Sequence, residues 1–285
     1  MQENKPLLLK GTVISLKYTL TGGLAMKIGI SSSCLYPMTV EDSLRTVGRL
    51  GAETCEIFFN SYSELKRPII TELREIKDYY GLEVRSVHPF TSAYETIQFF
   101  SNYRRRTLDG AELYKYYFEA ANIMGAEMVV LHGGHTHARL TPEEYAENYI
   151  ILNNAAIENG VYIAHENVRD HLCRKPEFMK AVSDLVGDSF RMVLDIKQCR
   201  RSGESEYDFI DLLGDRICQV HISDCKGDKD CLAPGVGEYD FKKLFSALQA
   251  VGYDKTAIIE LYRHNYGDPS ELGTARQYLN NIIKE

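Results

Sequence analysis

The hexapeptide QVHISD, residues 219–224, ends a short apolar run with a histidine and then an aspartate. The same arrangement recurs along the chain, where an apolar or β-branched run ends in a polar residue and a segment of helical length follows. Examples are AEMVVLHGG before TPEEYAENYIILNNAAIENG, and VYIAHENV before PEFMKAVSDLVG. Strands that alternate with helices in this way predict a parallel sheet.

Eight such strand–helix units follow one another from Lys27 onward. Because eight units close into a barrel, we predict an α/β fold consisting of a single (β/α)₈ TIM barrel. An open doubly wound sheet is the alternative. Its phosphate loop would read GxGxxG after the first strand, whereas this chain has GISSSCLYP there.

The predicted domain covers residues 26–285, since the first strand-like segment, MKIGISSS, begins at Met26. Residues 1–25 are expected to be either an extension outside the fold, as a misplaced start codon would produce, or a packed N-terminal arm. Lys10 and Lys17 interrupt the apolar run of this stretch, which makes it a poor secretion signal.

Composition limits the classes of partner. The net charge of -7 argues against a nucleic-acid partner, because phosphate binding needs a basic surface. No apolar run reaches the roughly 18–20 residues of a membrane span, so no membrane partner is expected. Seven scattered cysteines without a CxxC pair predict reduced thiols in a cytoplasmic protein.

Six consecutive strands, the third to the eighth, end in polar residues. Residues two apart in a strand share a face, so an inward-facing residue predicts that the polar residue at the strand end also faces inward. The pairs are Ser86 with His88, Val130 with His132, Ala164 with Glu166, Val193 with Asp195, Gln219 with His221, and Ile258 with Glu260.

Three buried carboxylates would be prohibitively costly together unless a cation compensated them. Glu166, Asp195 and Glu260, with the imidazole of His221, make an oxygen-rich set of ligands. Such a set predicts one divalent metal ion. We expect Mn²⁺, with Mg²⁺, Co²⁺ and Zn²⁺ as alternatives. A single residue of this kind could instead cap a helix or form an ion pair in the barrel wall.

Five short motifs resemble those of the xylose-isomerase-like TIM-barrel superfamily. They are HEN at 165–167, LDIKQ at 194–198, VHISD at 220–224, PGVGEYDF at 234–241 and IIEL at 258–261. Each motif is weak alone, but their order on successive strands is specific for the superfamily. The resemblance extends from Met26 to the C-terminus.

The resemblance implies a sugar or sugar-phosphate isomerase or epimerase whose substrate is a small carbohydrate. It implies that Glu166, Asp195, His221 and Glu260 bind one divalent ion and that Glu166 and Glu260 act as acid and base. A proton beside the carbonyl would be removed and returned through a cis-enediolate whose oxygens the ion holds. This agrees with the residues themselves, because such a proton leaves only if the enolate charge is stabilised. The resemblance also makes a homo-oligomer an expectation.

Three other functions stay open. A lyase or dehydratase could use the same enolate to expel a β-hydroxyl. An AP endonuclease is disfavoured, because CLAPGVGE at 231–238 lacks the Asp-x-His pair of that branch. A non-catalytic sugar- or metal-binding relative is disfavoured by the intact pair Glu166 and Glu260.

Other polar residues near the predicted mouth are candidates for substrate contact. His88 and His132 would contact substrate, bind a second ion or donate to a backbone carbonyl. Gln198, where the superfamily often has histidine, could bind a sugar hydroxyl. Glu56 is expected to make a hydrogen bond in the barrel wall. Three basic residues could bind an anionic group of the substrate or could instead be solvated loop charges. They are Arg169, Lys226 and Arg263.

Overall fold

The strands form a closed parallel barrel. The structure is a computed structural model that describes residues 26–284, so the predictions for residues 1–25 lie outside the described residues. The barrel order is β1-β10-β7-β6-β5-β4-β3-β2, and β8 pairs with β9 in a separate two-stranded sheet. The strands are β1 Lys27–Ser31, β2 Thr54–Phe58, β3 Glu83–His88, β4 Met128–Leu131, β5 Tyr162–Glu166, β6 Met192–Asp195, β7 Ile217–Ile222, β8 Asp224–Lys226, β9 Lys229–Leu232 and β10 Thr256–Ile259.

Helices surround the barrel, as the alternation of patterns predicts. They are α1 Val40–Arg49, α2 Arg67–Tyr80, α3 Ser92–Gln98, α4 Arg104–Met124, α5 Pro142–Glu158, α6 Pro176–Val186, α7 Ile196–Ser202, α8 Glu206–Leu213, α9 Phe241–Ala250 and α10 Ser270–Lys284. Together the closed sheet and its helices confirm the (β/α)₈ barrel.

Local sequence signals explain where several helices begin and end. Thr39 and Thr141 accept hydrogen bonds from the first turns of α1 and α5, and Pro142 occupies the first position of α5. Gly81 and Gly125 end α2 and α4 with φ of 66° and 74°, the left-handed region that favours glycine.

Two layers of apolar side chains fill the barrel and its surroundings. A small cluster inside the barrel contains Met128, Val130, Ala164, Val193 and Cys218. A larger cluster lies between the sheet and the helices. Val130, Ala164 and Val193 are the inner members of the pairs predicted for the fourth to sixth strands, so the expected alternation holds. Within residues 26–284 no helix combines the length and apolarity of a membrane span.

The loops after the strands contain structure that the sequence patterns do not show. The segment at 91–103, after β3, contains α3, and the segment at 224–239, after β7, contains the β8–β9 hairpin. Helix α7 begins immediately after β6, because the Asp195 carboxylate accepts a hydrogen bond from the backbone N–H of Gln198 at 3.0 Å. These segments follow carboxyl ends of strands and therefore lie around the barrel mouth.

Candidate metal centre and active site

The six predicted strand-end residues all lie at the carboxyl ends of the barrel strands. His88, Glu166 and Asp195 are the last residues of β3, β5 and β6, and His221 is the fifth residue of β7. His132 and Glu260 directly follow β4 and β10. Four of the six are buried, whereas His132 and Glu260 keep some exposure at the mouth.

One layer below, polar side chains form a hydrogen-bonded network inside the barrel. Ser86 donates to the Glu56 carboxylate at 2.7 Å, and the Gln219 amide donates to it at 2.8 Å. All three side chains are fully buried. Ser86 and Gln219 are the inner members of the pairs that end in His88 and His221, so both strands point these histidines into the barrel.

Four strand-end side chains converge at one place. Potential ligand atoms of Glu166, Asp195, His221 and Glu260 all lie within 4.8 Å of one another. Nδ1 of His221 lies 3.9 Å from Oε1 of Glu166 and 3.6 Å from Oε2 of Glu260. Two ligand atoms at about 2.0–2.2 Å from one ion lie at most about 4.4 Å apart, so the separations of 3.9 and 3.6 Å suit a shared ion.

The unsatisfied hydrogen-bonding groups of these residues are those that a bound cation would contact. Three buried atoms in the group lack a hydrogen-bond partner, and they come from three different candidate ligands: Oε2 of Glu166, Oδ2 of Asp195 and Nδ1 of His221. A buried polar atom without a partner is rare and costs free energy, so each needs an explanation. A divalent ion would satisfy all three at once.

Glu56 orients the imidazole of His221. Its Oε2 lies 3.0 Å from Nε2 of His221 and accepts a hydrogen bond from that nitrogen. Donation through Nε2 leaves Nδ1, the atom without a partner, free to use its lone pair on a metal. Metal-binding histidines commonly have such a carboxylate behind them.

The charged groups of the site shift one another's pKa values. Burial opposes the charged form of His221, but the carboxylates of Glu56 and Glu260 outweigh burial and raise its pKa well above the usual range. Burial also opposes ionisation of Glu56, yet His221 lowers the pKa of that carboxyl to about 2. Burial raises the pKa of Asp195 to about 7, although the Lys197 ammonium opposes the shift. A divalent ion would replace the proton on Nδ1 of His221.

A second group with metal-ligand spacing shares one residue with the first. His88, His132 and Glu166 have potential ligand atoms within 4.8 Å of one another. Nε2 of His132 lies 3.2 Å from Oε2 of Glu166, and Nε2 of His88 lies 3.6 Å from it. Among residues 26–284 no third group has this spacing.

The family is decided by comparison with known proteins. The profile of the xylose isomerase-like TIM barrel family matches residues 44–282. The chain belongs to the xylose isomerase-like TIM barrel family. This confirms the resemblance that the strand-end motifs indicate.

Proteins similar in sequence to this family member include an uncharacterised protein and an epimerase. An uncharacterised protein of Methanocaldococcus jannaschii is 28% identical over 257 residues, which cover 83% of this chain and 84% of that protein. Fructoselysine 3-epimerase of Shigella flexneri is 22% identical over 260 residues, which cover 86% of this chain and 93% of that enzyme.

Solved structures share the family fold. A D-tagatose 3-epimerase-like protein has a TM-score of 0.73 at 22% identity, with 91% of this chain and 97% of that chain covered. An L-ribulose 3-epimerase has a TM-score of 0.76 at 18% identity, with 91% and 95% covered. At these identities the likeness shows the fold.

The other predicted substrate-binding residues lie at the mouth, where each contacts another part of the chain. The Gln198 amide oxygen accepts a hydrogen bond from the Arg169 backbone at 3.1 Å, and the Arg169 guanidinium pairs with Asp170 at 2.9 Å. Lys226 pairs with Glu238 at 3.0 Å. Arg263 donates to the carbonyls of residues 266 and 267 at 3.0 Å. Their roles toward substrate stay predictions.

One residue of the site was not foreseen. Nζ of Lys197 lies 2.8 Å from Oε2 of Glu260 and 3.1 Å from Oδ2 of Asp195. Lysine is seldom buried, and we expected residue 198 rather than 197 to matter. The available signal was the spacing of Lys197, two residues after Asp195. Helix α7, which begins at Ile196, brings the ammonium back over the strand end.

Proposed function

We propose that this protein is a divalent-metal-dependent sugar or sugar-phosphate epimerase or isomerase. The observation that carries the proposal is the convergence of the side chains of Glu166, Asp195, His221 and Glu260. Three of these side chains each contribute one buried atom that has no hydrogen-bond partner. The relative named fructoselysine 3-epimerase and structural neighbours named as epimerases of tagatose and ribulose support a ketose substrate.

Glu166 and Glu260 are the proposed acid and base. One carboxylate takes the proton from the carbon beside the ketone, and the C–H electron pair moves to form an enediolate. The other carboxylic acid returns a proton to the opposite face or to the neighbouring carbon. General acid–base catalysis of this kind contributes about 10²–10⁴-fold to a rate.

Neighbouring positive charges favour the ionised form of both glutamates, as the base of the pair requires. Burial opposes ionisation of each, but His132 and His221 hold the pKa of Glu166 well below its usual value. Lys197 and His221 likewise lower the pKa of Glu260. When bound, a divalent ion would supply Lewis-acid stabilisation of the charge that develops on the ketone oxygen. We propose Mn²⁺ as that ion, ahead of Mg²⁺, Co²⁺ and Zn²⁺.

Substrate contacts are proposed for residues around the metal centre. His88 and His132 stand beside Glu166, with their Nε2 atoms 3.0 Å apart, and could bind sugar hydroxyls. Gln198 lies in the first turn of α7 and could also bind a sugar hydroxyl. Arg169, Lys226 and Arg263 would bind an anionic group if they exchanged their present contacts for it.

The compartment, the oligomeric state and the substrate class are also proposed. All seven cysteines are free thiols, and six of them are buried, which supports a reducing compartment such as the cytoplasm. A homo-oligomer remains a family-level expectation. The net charge of -7 supports a small-molecule substrate over a nucleic acid.

Deuterium exchange tests the proposal. The protein would be incubated with fructose, tagatose, psicose and ribulose in D₂O with Mn²⁺, and NMR would follow the hydrogen on the carbon beside the ketone. We expect wash-in by the wild type and a loss of at least about 100-fold in Glu166→Gln and Glu260→Gln. Glu127→Gln is the control, because Glu127 directly precedes β4, at the opposite end of the strand from His132, and pairs with Arg85. Unchanged exchange in both site variants would refute the mechanism, and a product lighter by one water would assign the lyase alternative.

A further inference from the structure

Lys197 places a positive charge inside the candidate metal centre. It lies in the first turn of α7, and its side chain is 4% exposed. Its Nζ contacts two carboxylates, Glu260 at 2.8 Å and Asp195 at 3.1 Å. Only the contact with Glu260 has hydrogen-bond geometry, since Oδ2 of Asp195 has no hydrogen-bond partner.

The Lys197 ammonium contacts the carboxylate oxygens that would bind a metal ion. Oε2 of Glu260, which accepts from Lys197, is also the oxygen that lies 3.6 Å from Nδ1 of His221. Oδ2 of Asp195, which has no hydrogen-bond partner, lies 3.1 Å from Nζ. An ion bound between these atoms would therefore share both oxygens with Nζ, and two cations so close repel each other strongly in a buried site.

We propose that the Lys197 ammonium competes with the divalent ion for Asp195 and Glu260, and so sets a low metal affinity in this chain. The inference rests on the proposed function, because it assumes that the ion binds at these residues. In the metal-free protein Lys197 compensates part of the buried negative charge. Metal entry moves Nζ away from the two carboxylates.

The structure provides a place for the displaced ammonium. A cavity of about 230 Å³ lies beside α7, and Lys197 is among its lining residues. Glu206 and Asp230 also line this cavity, where the Asp230 carboxylate pairs with Arg201 at 2.5 Å and the Glu206 carboxylate accepts from the Tyr239 hydroxyl at 2.5 Å. The Tyr262 ring centroid lies 5.2 Å from Nζ and can stay in contact with the cation. The displaced lysine side chain would therefore turn toward this partly acidic cavity.

Titration calorimetry with Mn²⁺ on the metal-stripped protein tests the competition. Lys197→Met keeps the length of the side chain and removes its charge, so the Kd for Mn²⁺ should fall at least about tenfold. Lys180→Met removes an exposed ammonium that pairs with Asp184 on α6, and it should leave the Kd unchanged. Glu166→Gln should weaken binding.

Thermal unfolding gives a second and opposite readout. Without metal, Lys197→Met should melt below the wild type, because it leaves two buried carboxylates less well compensated. With saturating Mn²⁺ its gain in Tm should exceed that of the wild type. Lys197→Gln, which is neutral but polar, should show the same pattern and serves if the methionine variant folds only with metal.

The outcomes separate the inference from the proposed function. If Glu166→Gln loses Mn²⁺ binding while both Lys197 variants bind no more tightly than the wild type, the metal centre stands and the competition is overturned. If Glu166→Gln binds Mn²⁺ as the wild type does, the ion binds elsewhere, and the proposed function fails together with the inference.

Discussion

Oε2 of Glu56 accepts a hydrogen bond from Nε2 of His221 at 3.0 Å, in the interior of the barrel below the candidate metal centre. The two residues are 165 positions apart in the sequence and both are fully buried. Their contact fixes which nitrogen of the imidazole faces the three carboxylates. A residue on β2 therefore orients a candidate metal ligand on β7.

Replacing Glu56 with glutamine should weaken metal binding. The neutral amide no longer stabilises the donating Nε2–H by charge, so the basicity of Nδ1 falls and the ring is held less firmly. Loss of such a partner typically lowers metal affinity about 10–100-fold. Calorimetry with Mn²⁺ measures the change, and Glu127→Gln, at the amino end of β4 in a pair with Arg85, is the matched control. An unchanged Kd in Glu56→Gln would show that this contact does not act on a ligand.

Acid should destabilise the fold through His165, which lies behind Glu166. Burial lowers the pKa of His165 to about 4, and the ring is held neutral between the Tyr145 hydroxyl at 2.5 Å and the Glu166 carbonyl at 3.0 Å. The unfolded chain has the ordinary histidine pKa of about 6.5, so below that pH it binds the proton more readily than the folded chain does. Stability from this residue is complete above pH 6.5 and is lost as the pH falls toward 4, by about 3 kcal/mol at most.

Urea unfolding of the metal-free protein at several pH values checks this expectation. Between pH 6 and pH 5 the free energy of unfolding of His165→Gln should fall less steeply than that of the wild type, by about 1 kcal/mol per pH unit. Above pH 7 the two slopes should coincide. Equal slopes between pH 6 and pH 5 would mean that His165 is protonated in the folded protein.

Gly133, which follows His132, should not tolerate a side chain. Its φ is +83°, and an added Cβ would lie 2.0 Å from the Tyr145 hydroxyl and 2.4 Å from Nε2 of His165. Backbone strain and overpacking together should cost Gly133→Ala about 3 kcal/mol. Gly227→Ala has a similar strain at φ +55° but meets nothing within 4 Å, so it should cost about 1 kcal/mol. Denaturant midpoints compare the two, and equal losses would exclude the steric contribution.

The sequence predicts the barrel and its strand-end residues because both follow from local periodicity. Alternation along β5, β6 and β7 is enough to orient Glu166, Asp195 and His221 inward, since each follows an inner-layer neighbour by two positions. The N-caps of α1 and α5 are equally local.

What the sequence could not predict depends on contacts between distant segments. The bond from Glu56 to His221 joins β2 to β7 across the barrel, and no pattern within either strand encodes it. Lys197 was missed because the segment LDIKQ looked like a continuous strand. In the structure Asp195 instead caps α7. The first turn of α7 brings Nζ of Lys197 to Glu260, which follows β10.

The most direct test of the central claim is anomalous diffraction from crystals soaked in Mn²⁺, recorded at the manganese edge. The account predicts a strong peak bonded to Glu166, Asp195, His221 and Glu260, which disappears after treatment with a chelator. A mouth without a peak at saturating Mn²⁺, or a peak bonded only to residues outside these four, would contradict it.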